Sequence, residues 1–587
     1  MKFKCLFNIE SIGGLNMKRF TICLVFLLAW SGLSVADEHD SERILGNMHD
    51  ELMRNFDVLQ DEDKPPFYMS YEIVEDDVVR VIGSYGETSF DDEFLNRVLT
   101  IDLRVGSPEL DNTRVDRTPQ RVNFGSISVD AEQPLKVALW NATDASFRSA
   151  LSQLTRVESE VQATVEEEDK TGDFTAMPTE DYRGGSLLLA DVGESFREKA
   201  KRYGLPFKYE EHIQSNDVSI RGEVQTRWFV NSEGTKIATS EAYYRISISA
   251  TSKAEDGMEL RRYVSYEALT PEGFPDDDKV MTDVRAMIEE LDALRNAPIV
   301  EPYTGPAILG ARAAGVFFHE ILGHRLEGHR LKSVTDGQTF KAKLGERILP
   351  ENFTMYFDPN IREHRGLTLW GFYDYDNQGV KGQKVTVIEN GVLKGFLMSR
   401  QPMEGFLESN GHGRRQSTSG YGSVSRQSNL ILEVENPVSA EELKEMLLER
   451  VRDQGREFGL YFGDIQGGYA ITGRFMPNAY NVQPLIVYRM FADGSQELVR
   501  GVDLIGTPLT TMSRIEAGAS DYDTFNGYCG AESGRIPVSA VSPSILISQV
   551  EVQKTATSRD KPPILPTPVK RDDDEVSLRL LRQNYSE

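Results

Sequence analysis

The segment GVFFHEILGHRLEGHR, residues 315–330, constrains this chain more than any other stretch. It sets His319, Glu320 and His324 in an otherwise apolar run with the pattern of a buried helix. Imidazoles beside a carboxylate suit a divalent metal, with the carboxylate free to take a proton from water that the metal polarises. The spacing, however, is wider than usual. Metal-binding histidines on a helix commonly stand four residues apart and so share a face. Here they stand five apart, which turns the second ring about 140° from the first on a regular helix. Both can reach one metal only if the helix widens into a π-type bulge or ends near Gly323, where the lack of a side chain makes either distortion cheap.

The N-terminus bears on what else could complete such a site. Lys18-Arg19 precede an apolar run from Thr21 to Trp30, then Ser34-Val35-Ala36 and acidic Asp37-Glu38. A charged start, a short apolar run and a small-x-small end predict a signal peptide over 1–36. Residues 1–16, ahead of Met17, are an upstream-start extension or a longer charged region. The expectation is an exported protein, in the periplasm or outside the cell. The apolar run is too short for a comfortable membrane span. The formal net charge of −27 argues against a nucleic-acid partner, because phosphate backbones are held by clustered Lys and Arg.

Of Cys5, Cys23 and Cys529, only the last would survive cleavage after Ala36. A lone cysteine in an oxidising compartment forms an intermolecular bridge, occupies a metal, or is a buried inert thiol. Cys529 lies in NGYCGAESGRIP between Gly527 and Gly530; glycines permit close backbone approach, and a thiolate binds zinc well. The other candidates for a third ligand are His329, Glu327, His364 and His412. His329 follows Gly328 and is either a ligand or a polar residue beyond the helix.

Periodicity predicts helices over 41–59, 146–165, 277–294 and 441–457, with a further helix from about Ala307 through the histidines. Alternating runs predict strands within 66–105, broken by acidic turns, and a meander over 217–268 around NSEGT. KVTVIENGVLKGFLMS reads as a hairpin turning at Asn390-Gly391. Further strands are expected at AYNVQPLIVYRM, QELVRGVDLIG and SPSILISQVEVQK, and the acidic stretch 166–182 as a mobile loop. The break at Asn296-Ala297-Pro298 divides the chain into 37–298 and 299–555, with a Pro-rich charged tail over 556–587. The fold class is α+β: an α/β N-terminal domain followed by a β-rich C-terminal domain carrying the metal-binding helix. Arg414 and Arg415, after Gly411-His412-Gly413, are candidates for holding a peptide carboxylate, or are paired structurally to nearby acids. Tyr469, after Gly467-Gly468, is a candidate for stabilising an oxyanion or for packing.

HEILGHRLEG, VIENGVLKGFL, NGHGRRQS, GGYAITGRF, ELVRGVDLIGTPL and YCGAESGRIPVSAVSPSILI occur in that order between about Tyr303 and Val552. Together they resemble the TldD/PmbA family of metallopeptidases, and the first half resembles it only loosely. The resemblance implies one zinc per chain, held by His319, His324 and Cys529, with Glu320 as the catalytic residue. It implies hydrolysis of flexible or unfolded peptides within an enclosed channel, by a homodimer or a heterodimer with a related subunit. The alternatives are a catalytically silent peptide-binding subunit and a maturation protease for one peptide product. His329 stands where the family has an acidic residue after LEG, and 331–367 looks altered.

Overall fold

Long alternating runs build the first half. In the computed structural model, which describes residues 35–114, 123–163, 169–333, 336–418, 420–473 and 479–555 with isolated positions beyond, four strands are 18 or 19 residues long: Pro66–Ser84, Glu87–Val105, Ile213–Asn231 and Lys236–Lys253. They form the centre of a seven-stranded sheet. Most of the predicted signal peptide, and most of the predicted tail, lie outside the described residues.

The acidic residues near 75–77 do not break the first strand as expected. Cross-strand partners replace the turn: Gln225 donates to the Asp76 carboxylate at 2.8 Å, and Arg97 pairs with Glu75. The hairpin turns instead at Tyr85-Gly86, where both residues have positive φ, 51° and 81°, the twist that matches flanking strands.

Side chains alternate across a sheet, and here the two faces differ in kind. Tyr71, Ile73, Val79, Val81, Ile220, Val230 and Ile246 are buried beneath helices. Val35–Leu59 and Glu132–Ala163 cover one end of that face, and Gly193–Gly204 and Asp277–Asn296 cover the other. Asp276 caps the last of these by accepting from Lys279 N at 2.8 Å. The opposite face carries Glu72, Asp76, Glu223, Arg227 and Glu241, and it turns toward the second half of the chain. Of the stretch 166–182, residues 166–168 lie outside the described residues, and the rest is tied to the second half: Thr175 N donates to Arg400 O at 2.9 Å, and Asp169 accepts from Glu404 N at 3.0 Å.

The second half contains a six-stranded and a seven-stranded sheet. Its first apolar run, Tyr303–Leu309, is a strand and not the start of a helix. It lies between Ile545–Lys554 and Phe458–Ala470, buried on both faces. Such a run carries no periodicity that tells strand from helix. Gly310 ends it, and the helix proper is Ala311–Ile321, buried throughout from Ala313. That helix sits between the two sheets. Phe317, Phe318 and Ile321 share one core with Met355, Phe357 and Leu430 of one sheet and Leu460, Val482 and Ile547 of the other. Asn390-Gly391 turn their hairpin with φ of 49° and 78°. The helix expected at 441–457 is Ala440–Asp453, closed at its start by a Ser439–Glu442 capping box.

Candidate metal centre

The five-residue histidine spacing is resolved by ending the helix. Ala311–Ile321 stops before the second histidine; Leu322 leaves helical geometry at φ −125°, ψ −48°, and Gly323–Leu326 continues as a tighter 3₁₀ turn. The truncated end leaves orphan carbonyls, and Arg325 caps them, donating to Glu320 O at 3.0 Å and Ile321 O at 3.1 Å. Gly323 is required by a close approach: a Cβ there would lie 2.0 Å from the Gln427 side chain, whose amide donates to His319 O at 3.3 Å.

The turn brings the two imidazoles together, with ring centroids 5.1 Å apart. Cys529 arrives from Asp523–Ala531, a strand of the six-stranded sheet. His319, His324 and Cys529 are buried, and one ligand atom from each lies within 4.8 Å of the others. Cys529 Sγ is 3.5 Å from His324 Nε2, and His319 Nδ1 is buried without a hydrogen-bond partner. Zinc bonds of roughly 2.0–2.3 Å to N and S place tetrahedral ligands about 3.3–3.8 Å apart, so this buried set of two imidazoles and a thiol fits a zinc ion. Glu320 is buried beside it, its carboxylate 3.9 Å from His324 Nε2. The strand Phe458–Ala470 passes directly over Glu320: a Cβ on Gly468 would come within 3.2 Å of Glu320 Cγ.

Charge is arranged around the cluster. Burial would raise the Cys529 thiol, but His324, Arg426 and His319 together hold it well below the usual thiol range. Arg426, fully buried, donates to Cys529 Sγ at 3.2 Å and to Cys529 O at 2.8 Å. Burial would lower His324, but Cys529 and Glu327 hold it well above the ordinary histidine value. Glu327 lies 3.3 Å from His324 Nδ1 and accepts from Arg330 Nε at 2.8 Å. Burial alone would raise its carboxyl; His324, Arg330 and Arg426 bring it down to about 2.

The remaining sequence candidates lie elsewhere. His329 is buried against Glu532, which also accepts from Arg330 Nη2 at 2.7 Å. His364 pairs with Glu433 at 2.9 Å. His412 is fully buried and bonded to Asn410 and Ser428. Arg415 is tied to Glu72 and Thr100 of the first half. Arg414 donates to the carbonyls of Gln427 and Pro537. Tyr469 is 52% exposed, next to the glycine over Glu320. The sequence reading passed over Arg426, Gln427 and Arg330. Arg426 and Gln427 fall in the wholly buried polar run Ser425–Asn429, which in one dimension looks like any loop, and Arg330 directly follows His329 in the histidine segment.

Comparison with known proteins agrees with this architecture. Residues 302–554 match the model of the PmbA/TldA metallopeptidase C-terminal domain. The chain is 30% identical over 291 residues to a metalloprotease of Archaeoglobus fulgidus, covering 49% of this chain and 61% of that one. It is 27% identical over 285 residues to the metalloprotease TldD homolog of Haemophilus influenzae, covering 46% and 54%. It is 25% identical over 346 residues to the zinc metalloprotease TldD homolog of Saccharolobus solfataricus, covering 58% and 71%. The chain therefore spans about half to seven tenths of these curated relatives. Its fold is similar to that of TldE from Thermococcus kodakarensis, with TM-score 0.56 and 15% identity over 86% of this chain and 99% of that one. HEILGHRLEG and YCGAESGRIP both fall inside the matched region, so the second half of the chain, residues 302–554, carries the PmbA/TldA metallopeptidase C-terminal domain.

Proposed function

We propose that the chain is a zinc-dependent metallopeptidase acting on flexible or unfolded peptides, with His319, His324 and Cys529 holding one zinc and Glu320 as general base. The observation that carries this reading is the convergence of three buried ligand atoms within 4.8 Å, with a carboxylate beside them. Zinc bound there would supply Lewis acidity to the scissile carbonyl and to water. Glu320 accepts the proton of the attacking water and delivers it to the leaving amine. An extended substrate has an edge to lie on: Tyr303–Leu309 pairs with Phe458–Ala470 only at Leu460, Tyr461 and Phe462. Among the described residues no other strand pairs with that edge from Gly463 to Gly468, over Glu320, which suits it to strand addition. The presence of Glu320 disfavours a catalytically silent subunit.

The direct test is digestion of one substrate protein in its native and its reduced, unfolded form. Cleavage of the unfolded form alone is expected, abolished by a chelator and restored by zinc. Equal cleavage of both forms would remove the strand-capture argument; no cleavage by fully zinc-loaded protein would end the peptidase reading.

Glu327 is the carboxylate that orients a ligand histidine, and such partners typically contribute about 10–100-fold to metal affinity. Glu327→Gln is expected to lose zinc to a competing chelator at a concentration about 10–100-fold lower than wild type. Unchanged zinc retention would reduce Glu327 to a charge partner of Arg330 and Arg426.

A further inference from the structure

Between the polar face of the first half's sheet and the second half lies a cavity of about 390 Å³. Its floor is a cross-strand arrangement. Asp76 stands opposite Gln225, and Gln225 opposite Glu241; in the next row Glu223 stands opposite Tyr243. The facing wall comes from the second half and includes Tyr373, Arg414, Tyr528 and Arg535.

This cavity is separate from the metal centre. Tyr528 and Cys529 are consecutive on one strand, so their side chains leave opposite faces. Pro537 and Arg535, paired with Tyr528 and Gly530, share the cavity face. Ile536, paired with Cys529, packs with it on the other. The hairpin is thus the partition between the two sites.

The two walls set carboxylates opposite a guanidinium; Arg221 and Arg227 also line the floor, with Arg221 paired to Glu223, but Asp76, Glu241 and Arg414 have no direct ion-pair partner among the described residues. Arg414 is 6% exposed. It donates to Gln427 O at 2.6 Å and Pro537 O at 2.9 Å and lies over the Tyr373 ring. Among the described residues no carboxylate stands within ion-pair distance of it, whereas its neighbour Arg415 is paired with Glu72. On the floor, Asp76 accepts from neutral Gln225 at 2.8 Å and Glu241 from the Tyr243 hydroxyl at 2.9 Å. Neither has a Lys or Arg within ion-pair distance among the described residues. Burial, then Glu223 nearby, pushes the Asp76 carboxyl up to about 6; burial raises Glu241 as well. Buried charge without a partner is costly, and a ligand that brings both counter-charges relieves both walls at once.

We propose that this cavity binds a small zwitterion, a free α-amino acid or a dipeptide, with its ammonium on Asp76 and Glu241 and its carboxylate on Arg414. Charge-assisted hydrogen bonds at both ends set the selectivity. The inference stands independently of the peptidase reading, since binding needs neither metal nor turnover.

The test is calorimetric titration of the full chain with glycylglycine, N-acetylglycylglycine and glycylglycinamide. Saturable binding of glycylglycine is expected, with each blocked form at least about tenfold weaker, the loss of one charge-assisted contact. Asp76→Asn and Glu241→Gln keep side-chain shape and are expected to weaken glycylglycine by a similar factor. Arg414 also ties two backbone segments, so the two carboxamide variants decide the matter. Chelator-treated protein is expected to bind glycylglycine as tightly as untreated protein. The proposal fails if millimolar glycylglycine gives no saturable binding, or if either blocked form binds equally well. It fails too if binding disappears on chelation, which would move it to the metal centre, or if both carboxamide variants bind as wild type does.

Discussion

Replacing Glu320 by glutamine is expected to abolish peptide hydrolysis while leaving the metal bound. The side chain is buried next to His324, under the glycine-bearing strand Phe458–Ala470. Glutamine is nearly isosteric there, so the substitution neither opens a cavity nor overpacks the site. What it removes is the capacity to accept a proton, a contribution of about 10²–10⁴-fold for a general base. The neighbouring anions do not substitute for it. Glu327 is committed to His324 and Arg330, and Glu532 to His329 and Arg330. The measurement is the rate on a flexible fluorogenic peptide together with zinc content per chain. A wild-type rate at full zinc occupancy would refute the base assignment. Loss of rate accompanied by loss of zinc would assign Glu320 to holding the site together instead.

The second large effect is expected at Cys529. Cys529→Ser should lose most of its zinc, because a neutral hydroxyl replaces a soft anionic ligand. The reduction in affinity should exceed the roughly 10–100-fold typical of changes outside the ligand shell. The surroundings are built for an anion at this position: Arg426, without solvent contact, donates to Sγ at 3.2 Å. Burial works against the thiolate, and the cations around it outweigh burial. A metal-held thiolate is also shielded from alkylation. Thiol reagent is therefore expected to react slowly with the zinc-loaded protein and fast after chelation in denaturant. His329→Ala serves as the comparison, since His329 contacts Glu532 and lies outside the three-residue cluster. Zinc retained by Cys529→Ser and lost by His329→Ala would reverse the assignment.

How far the site was legible depends on the range of the interaction. The His319–His324 spacing required a distortion, and Gly323 marked where it would fall; both alternatives were local, and the helix end at Ile321 is one of them. The acidic tract at 75–77 was misleading for the same local reason. Asp favours turns when nothing else satisfies it, and here Gln225 satisfies Asp76 while Arg97 pairs with Glu75, both from other strands. Tyr303–Leu309 was unreadable as a strand, since a run buried on both faces has no alternation to detect.

The sequence by itself determined the elements whose signals are short-range: the amphipathic helices, the strand alternation, the Asn390-Gly391 turn and the need for a distortion between the histidines. Their causes lie within a few residues and depend on backbone sterics and burial period. Only the tertiary structure decided which distant residue joins the pair. Cys529 is 205 residues from His324, and its place rests on packing the Asp523–Ala531 strand against the Ala311–Ile321 helix. The same holds for Arg426 beside the thiol and for Arg414 and Asp76 on opposite walls of one cavity. Burial makes the charge on each of these residues count, because little solvent screens it there, and burial is a property of the assembled sheets, not of any segment.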